Sequence, residues 1–157
     1  MTRAASGAWW RAGAVCLAVL AADQASKAVV EHDLVVGEKV DAVGPLKLTL
    51  AHNEGIAFGL AGGSGAPLVV FTLIGLGVVL YLFAREPGRP LMWLAAGLLA
   101  GGALGNLTDR VRHGSVTDFV DLPHWPPFNL ADSAITCGVL ILAFIYLREA
   151  QRVPDGT

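Results

Sequence analysis

Apolar residues in this chain gather into four long runs, at about residues 12–30, 66–84, 91–108 and 130–147. Runs of this length are what a helix needs to cross the hydrocarbon of a bilayer. The second and third contain no charged residue. At 1.5 Å per residue the third reaches about 27 Å, close to the hydrocarbon thickness. The first loses its apolar character after Ala22, where Asp23-Gln24-Ala25-Ser26-Lys27 follows, and the fourth is rich in Ile, Leu and Val. Gly97, Gly101 and Gly105 recur every fourth residue in the third run, a smooth ridge for close helix packing. Between the runs, residues 31–65 begin polar and then alternate through Leu46-Lys47-Leu48-Thr49-Leu50. That period of two predicts strands, with Gly44-Pro45 as the turn between them. Residues 109–129 are charged, then aromatic and proline-rich, and Trp125 and Phe128 suit the headgroup level. The pattern predicts an all-α polytopic membrane protein: four transmembrane helices in a single membrane domain over residues 1–157. A small extracytoplasmic β platform within residues 31–65 completes the expectation.

Composition narrows the function classes. The 157 residues are 54% hydrophobic and 15% charged, with a mean hydropathy of +0.58. A net charge of -2 offers no basic stripe for nucleic acid. Cys16 and Cys137 lie in apolar runs without zinc spacing, which points to buried, inert thiols. His32, His52, His113 and His124 are scattered, so no metal site and no cofactor is expected. Six cationic residues (Arg3, Arg11, Arg85, Arg89, Arg148, Arg152) flank one side of the four runs, and five (Lys27, Lys39, Lys47, Arg110, Arg112) the other. The first side consists of short tails and one tight link, the segments that weigh most in orientation, so both termini are expected in the cytoplasm. A cleaved leader over residues 1–22 is the competing reading, and it would leave three spans.

Polar residues that a bilayer tolerates poorly collect at the other end. Asp23 and Lys27 close the first run, Asn53 follows the strands, and Asn106, Asp109 and Arg110 close the third. Asp118 comes next, and Asn129 and Asp132 open the fourth. A carboxylate at bilayer depth costs roughly 2.5–3.5 kcal/mol, so Asp118 and Asp132 imply a water-accessible site. Paired carboxylates that share one proton are suited to aspartyl proteolysis. Singly, each feature has a plainer reading: a helix-end ion pair for Asp23 and Lys27, a turn at Asn53, an interhelical hydrogen bond for Asn106, a surface pair at Asp109 and Arg110, and a dipole-favoured carboxylate at Asp132. Their convergence on one membrane face favours a site. A Ser26–Lys27 peptidase fails because consecutive helical residues point about 100° apart. A small proton-coupled transporter or channel is the alternative from another class, and it would place carboxylates nearer the bilayer midplane. A non-enzymatic assembly factor is a third reading, and it would survive loss of either aspartate.

The ordered motifs Asp23-Gln24-Ala25-Ser26-Lys27, Asn53-Glu54-Gly55-Ile56-Ala57-Phe58, Gly101-Gly102-Ala103-Leu104-Gly105-Asn106-Leu107-Thr108-Asp109-Arg110, Val116-Thr117-Asp118-Phe119 and Phe128-Asn129-Leu130-Ala131-Asp132 resemble those of bacterial lipoprotein signal peptidase (signal peptidase II). The resemblance covers about residues 9–148. It implies a four-helix inner-membrane aspartyl protease with a β cradle and a short helix over the active site, within residues 31–65. It implies substrates that are diacylglyceryl prolipoproteins, cut just before the lipidated cysteine at the extracytoplasmic face. Partners would be those substrates and membrane lipids, with no obligate protein partner. By motif, Asp118 and Asp132 would be the catalytic dyad. Asn53, Asn106, Arg110 and Asn129 would hold substrate backbone or orient the dyad, with Asp23, Lys27 and Asp109 in support. Residues 122–127 are short for this linker of the family.

Overall fold

The computed structural model describes residues 3–55 and 66–151. Helix α1 spans Arg3–Asp33, followed by strands β1 (Lys39–Val43) and β2 (Leu46–Asn53). Helices α2 (Ala66–Arg85) and α3 (Met92–His113) come next, then β3 (Val116–Leu122), β4 (Trp125–Phe128) and α4 (Leu130–Ala150). Among the described residues three helical segments are long and apolar enough to cross a membrane: Ser6–Asp33, Pro67–Arg85 and Leu130–Ala150. Helix α3 is less apolar, and the packing gives the reason. It is the central helix, lying along α1 and α4 and supporting α2, so much of its surface faces protein.

Glycines make that centre possible. A Cβ on Gly97 would stand 2.8 Å from Ala12 O, and one on Gly101 2.8 Å from Cys16 O, both on the α1 backbone. Gly102 meets α4 in the same way, 2.5 Å from Ala131 O. The expected ridge is therefore the α1–α3 seam, extended by Gly102 and Gly138 toward α4. At one end of the bundle Ala8, Ala12, Phe83, Met92 and Ala96 form a buried cluster, with the Trp9 and Phe83 rings 4.5 Å apart. The outward face of α2 exposes Val70, Phe71, Leu73, Ile74 and Val78.

The sheet is larger than the sequence pattern implied. Its order is β1-β2-β3-β4, all antiparallel, so half its strands come from the segment between α3 and α4. Hairpin β1–β2 turns at Gly44-Pro45 as expected. Hairpin β3–β4 turns at Pro123-His124, where His124 has φ 64°, so the short linker is a tight turn. Two prolines in Trp125-Pro126-Pro127-Phe128 hid β4, because proline donates no ladder hydrogen bond; it is tolerated here because β4 is an edge strand. Leu50, Phe119 and Val30 are buried together where the sheet meets the end of α1. Cys16 is half-buried and Cys137 exposed on α4, which corrects the expectation of two buried thiols. The expected short helix falls outside the described residues, as do Ile56-Ala57-Phe58.

Candidate active site

Three elements bring the dyad candidates together. Helix α3 ends at Gly114, whose positive φ of 77° lets its N–H reach Arg110 O; Val116 then starts β3, and Asp118 is two residues further on. Register with β2 sets Ala51 opposite Asp118, which brings Asn53 alongside. Helix α4 starts at a capping box: Asn129 Oδ1 accepts from Asp132 N at 2.9 Å, and Asp132 Oδ2 accepts from Asn129 N at 3.3 Å. The cap that starts the helix thereby fixes Asp132.

Asparagine amides tie the carboxylates to one another. Asn129 Nδ2 donates to Asp118 Oδ1 at 2.7 Å, and Asn53 Nδ2 to Asp118 Oδ2 at 3.1 Å. Asn106 Nδ2 donates to Asp132 Oδ1 at 2.8 Å. Each amide is held by its oxygen. Asn53 Oδ1 accepts from Gly55 N at 2.9 Å, and Asn106 Oδ1 accepts from Lys27 Nζ and Asn129 Nδ2, both at 3.1 Å. Asp118 is 2% exposed, whereas Asp132 is only half-buried. Burial lifts the Asp118 carboxyl to about 6, and the Asp132 charge adds to the rise; the amides of Asn53 and Asn129 and the Lys27 charge oppose it.

Behind this pair lies a second, buried cluster. Lys27 Nζ stands 2.8 Å from Asp23 Oδ2 and 2.7 Å from Asp109 Oδ2. Asp23 Oδ1 accepts from Ala131 N at 2.9 Å, which anchors the first turn of α4 to α1. Gln24 Nε2 donates to Asp109 Oδ1 at 2.8 Å, and Thr117 N to Asp109 Oδ2 at 3.3 Å. Among the described residues no buried side-chain nitrogen or oxygen lacks a partner. Arg110 is half-buried, in the fields of Asp132, Asp118 and Asp109 but hydrogen-bonded to none of them, so its guanidinium is available to a ligand.

All nine residues singled out from the sequence therefore gather in one region. Sequence reasoning passed over Gln24, Thr117 and Glu31. Thr117 Oγ1 donates to Glu31 Oε1 at 2.6 Å, and the spacing Asp23, Lys27, Glu31 along one helical face was the available signal. Asp121 would be a reserve carboxylate one turn from Asp118 if its segment were helical; the segment is strand, and Asp121 instead pairs with Lys39 at 2.6 Å. Among the described residues no group of three or more His, Cys, Asp or Glu is arranged to hold a metal ion.

Known proteins resemble this chain over nearly its whole length. Residues 15–148 match the family described as signal peptidase (SPase) II. The lipoprotein signal peptidase of Pelotomaculum thermopropionicum is 43% identical over 136 residues, covering 85% of this chain and 90% of that protein. That of Burkholderia thailandensis is 40% identical over 145 residues, 87% of each. A bacterial membrane enzyme structure determined by the in meso method at 2.3 Å superposes with a TM-score of 0.83 at 29% identity, covering 93% of both chains. With nearly the whole chain matched, at this identity and with this fold, the chain belongs to the signal peptidase II family.

Proposed function

We propose that this protein is an aspartyl endopeptidase that removes the signal peptide from diacylglyceryl prolipoproteins, cutting just before the lipidated cysteine. The carrying observation is Asn129, whose side chain donates to Asp118 and caps the helix turn that holds Asp132. Helix α3 serves as the fourth span, its glycines and polar end being sheltered by its neighbours. Both termini lie in the cytoplasm of a bacterial inner membrane, and the dyad lies at the extracytoplasmic face. Asn53, Asn106 and Asn129 orient the dyad, and Asp23, Lys27 and Asp109 brace it.

The chemistry follows from crowding. Two neighbouring carboxyls resist double ionisation and titrate as a unit. Asp118, buried and lifted to about 6, keeps the shared proton. Asp132, in the first turn of α4 where the helix dipole favours negative charge, is the base. Asp132 takes a proton from water, and the hydroxide attacks the carbonyl carbon preceding the cysteine. Asp118 donates its hydrogen bond to the carbonyl oxygen, and the tetrahedral intermediate collapses, breaking the C–N bond, as Asp132 passes the proton it took from water to the leaving amine. Arg110 and Asn53 hold the substrate backbone. The test is incubation with a diacylglyceryl prolipoprotein in detergent and the mass of the products. Two fragments divided immediately before the lipidated cysteine are expected; intact substrate, or a cut elsewhere, would overturn the assignment.

A further inference from the structure

Glu31 lies outside the dyad and its brace, at an exposed position on the last turn of α1. It nevertheless completes a series. Asp23, Lys27 and Glu31 follow one another at four-residue intervals, so they share one helix face. Asp23 holds α4 through Ala131 N at 2.9 Å. Lys27 holds α3 through Asp109 at 2.7 Å. Glu31 holds β3, accepting from Thr117 Oγ1 at 2.6 Å. One face of α1 thus grips α4, α3 and β3, three of the four elements that carry the dyad and its amides, the fourth being β2 with Asn53.

Thr117 is the residue through which that grip reaches Asp118. It is 2% exposed, and all three of its polar groups are engaged. Its N–H goes to Asp109 Oδ2 at 3.3 Å, its carbonyl accepts from Asn129 Nδ2 at 3.3 Å, and its hydroxyl goes to Glu31. A hydroxyl on a carboxylate at this distance is a charge-assisted bond, stronger than a neutral one. The other two are long, so the Glu31 bond is the firmest of the three. Thr117 and Asp118 share a peptide unit, and a shift of the first carries the second. Catalytic geometry is steeply sensitive to such shifts: about 1 Å of misplacement can cost roughly a hundredfold.

We infer that Glu31 is a positioning residue for Asp118, acting through the Thr117 hydroxyl. The inference deepens the aspartyl reading proposed above and rests on it.

The experiment measures kcat and KM on a lipidated prolipoprotein, with the thermal midpoint of each variant recorded alongside. Glu31→Ala and Thr117→Val should each lower kcat about tenfold, with KM within twofold of the parent. The double variant should be no slower than the worse single, because both remove one bond. Glu31→Gln, which keeps an acceptor, and Thr117→Ser, which keeps the hydroxyl, should recover most of the lost rate. A merely structural role would lower the midpoint without this pattern of rescue. Parental kcat in Glu31→Ala, multiplicative losses in the double variant, or failure of Thr117→Ser to rescue would overturn the inference. Asp118→Asn, run in parallel, separates the two readings. Its activity would sink the dyad itself, whereas its inactivity beside an unaffected Glu31→Ala would sink only the positioning role.

Discussion

Asn129 Nδ2 lies 2.7 Å from Asp118 Oδ1, and the oxygen of the same amide accepts from Asp132 N at 2.9 Å. One fully buried side chain thus couples a helix cap to the orientation of a carboxylate on a neighbouring strand. Asn129→Ala removes both functions. Loss of the cap should cost about 1 kcal/mol of stability. Loss of the Asp118 bond should lower kcat by about a hundredfold or more through misplacement. Asn129→Ser, which can still cap, should recover the thermal midpoint but not the rate. A variant whose midpoint and kcat recovered together would show that the residue matters only as a cap.

Asp118→Asn and Asp132→Asn should each abolish cleavage while leaving the protein folded and inserted. Asparagine keeps the shape of the side chain and cannot share the proton. Product mass is the readout, and circular dichroism in detergent is the control. Appreciable turnover by either variant would remove that residue from the dyad.

Activity should fall with rising pH as the pair gives up its last proton, since in the proposed mechanism Asp118 then no longer donates to the substrate carbonyl. The carboxyl of Asp118 stands at about 6, and the Asn53 amide opposes the rise by stabilising the ionised form. Asn53→Ala removes that opposition, so Asp118 should hold its proton to higher pH. The alkaline limb of kcat should move upward, whatever happens to KM. A limb that stayed put or moved downward would contradict the role given to Asn53.

Much of this was legible in the sequence, and the reasons differ between elements. The apolar segments stood out because a run of some eighteen uncharged residues fits a bilayer far better than a small soluble core. The glycine ridge was legible as a packing surface but not as a partner choice; Val15, Val19 and Asp23 on α1 are what its members meet. Strands β1 and β2 showed through alternation and a Gly-Pro turn. Strands β3 and β4 did not, because Val116 to Phe119 is buried on both faces and so shows no alternation, and because prolines masked β4. The candidate site residues were legible as types and as motif members. The asparagine circuit that links Asp118 to Asp132 was not, because amide orientation depends on partners from four elements that sequence order does not bring together.

Close approach along the α1–α3 seam makes a stability test. A methyl on Gly101 would press on Cys16 O at 2.8 Å and Val19 Cβ at 2.7 Å. Backbone cannot yield cheaply, so Gly101→Ala should cost about 1–3 kcal/mol through overpacking. Gly75 on α2 has nothing within 4 Å of the same methyl, and Gly75→Ala should be neutral or stabilising. Equal midpoints for the two variants would deny the seam its close contact.

Lys27 carries an electrostatic consequence beyond the proposed dyad. Its ammonium is buried with Asp23 at 2.8 Å and Asp109 at 2.7 Å. Removing one member of a buried ionic group strands the others, typically at about 3–5 kcal/mol. Lys27→Met should therefore destabilise strongly, leaving two buried carboxylates without their counter-ion. Adding Asp109→Asn to Lys27→Met should restore part of the loss, because one stranded charge is gone. The catalytic consequence has a definite sign. The Lys27 charge holds the Asp118 carboxyl down, so its removal should raise Asp118 further and carry the alkaline limb of kcat upward. Thermal melting in detergent and a pH profile of cleavage check the two parts separately. A stable Lys27→Met with an unshifted profile would mean that the ammonium neither balances the cluster nor reaches the dyad.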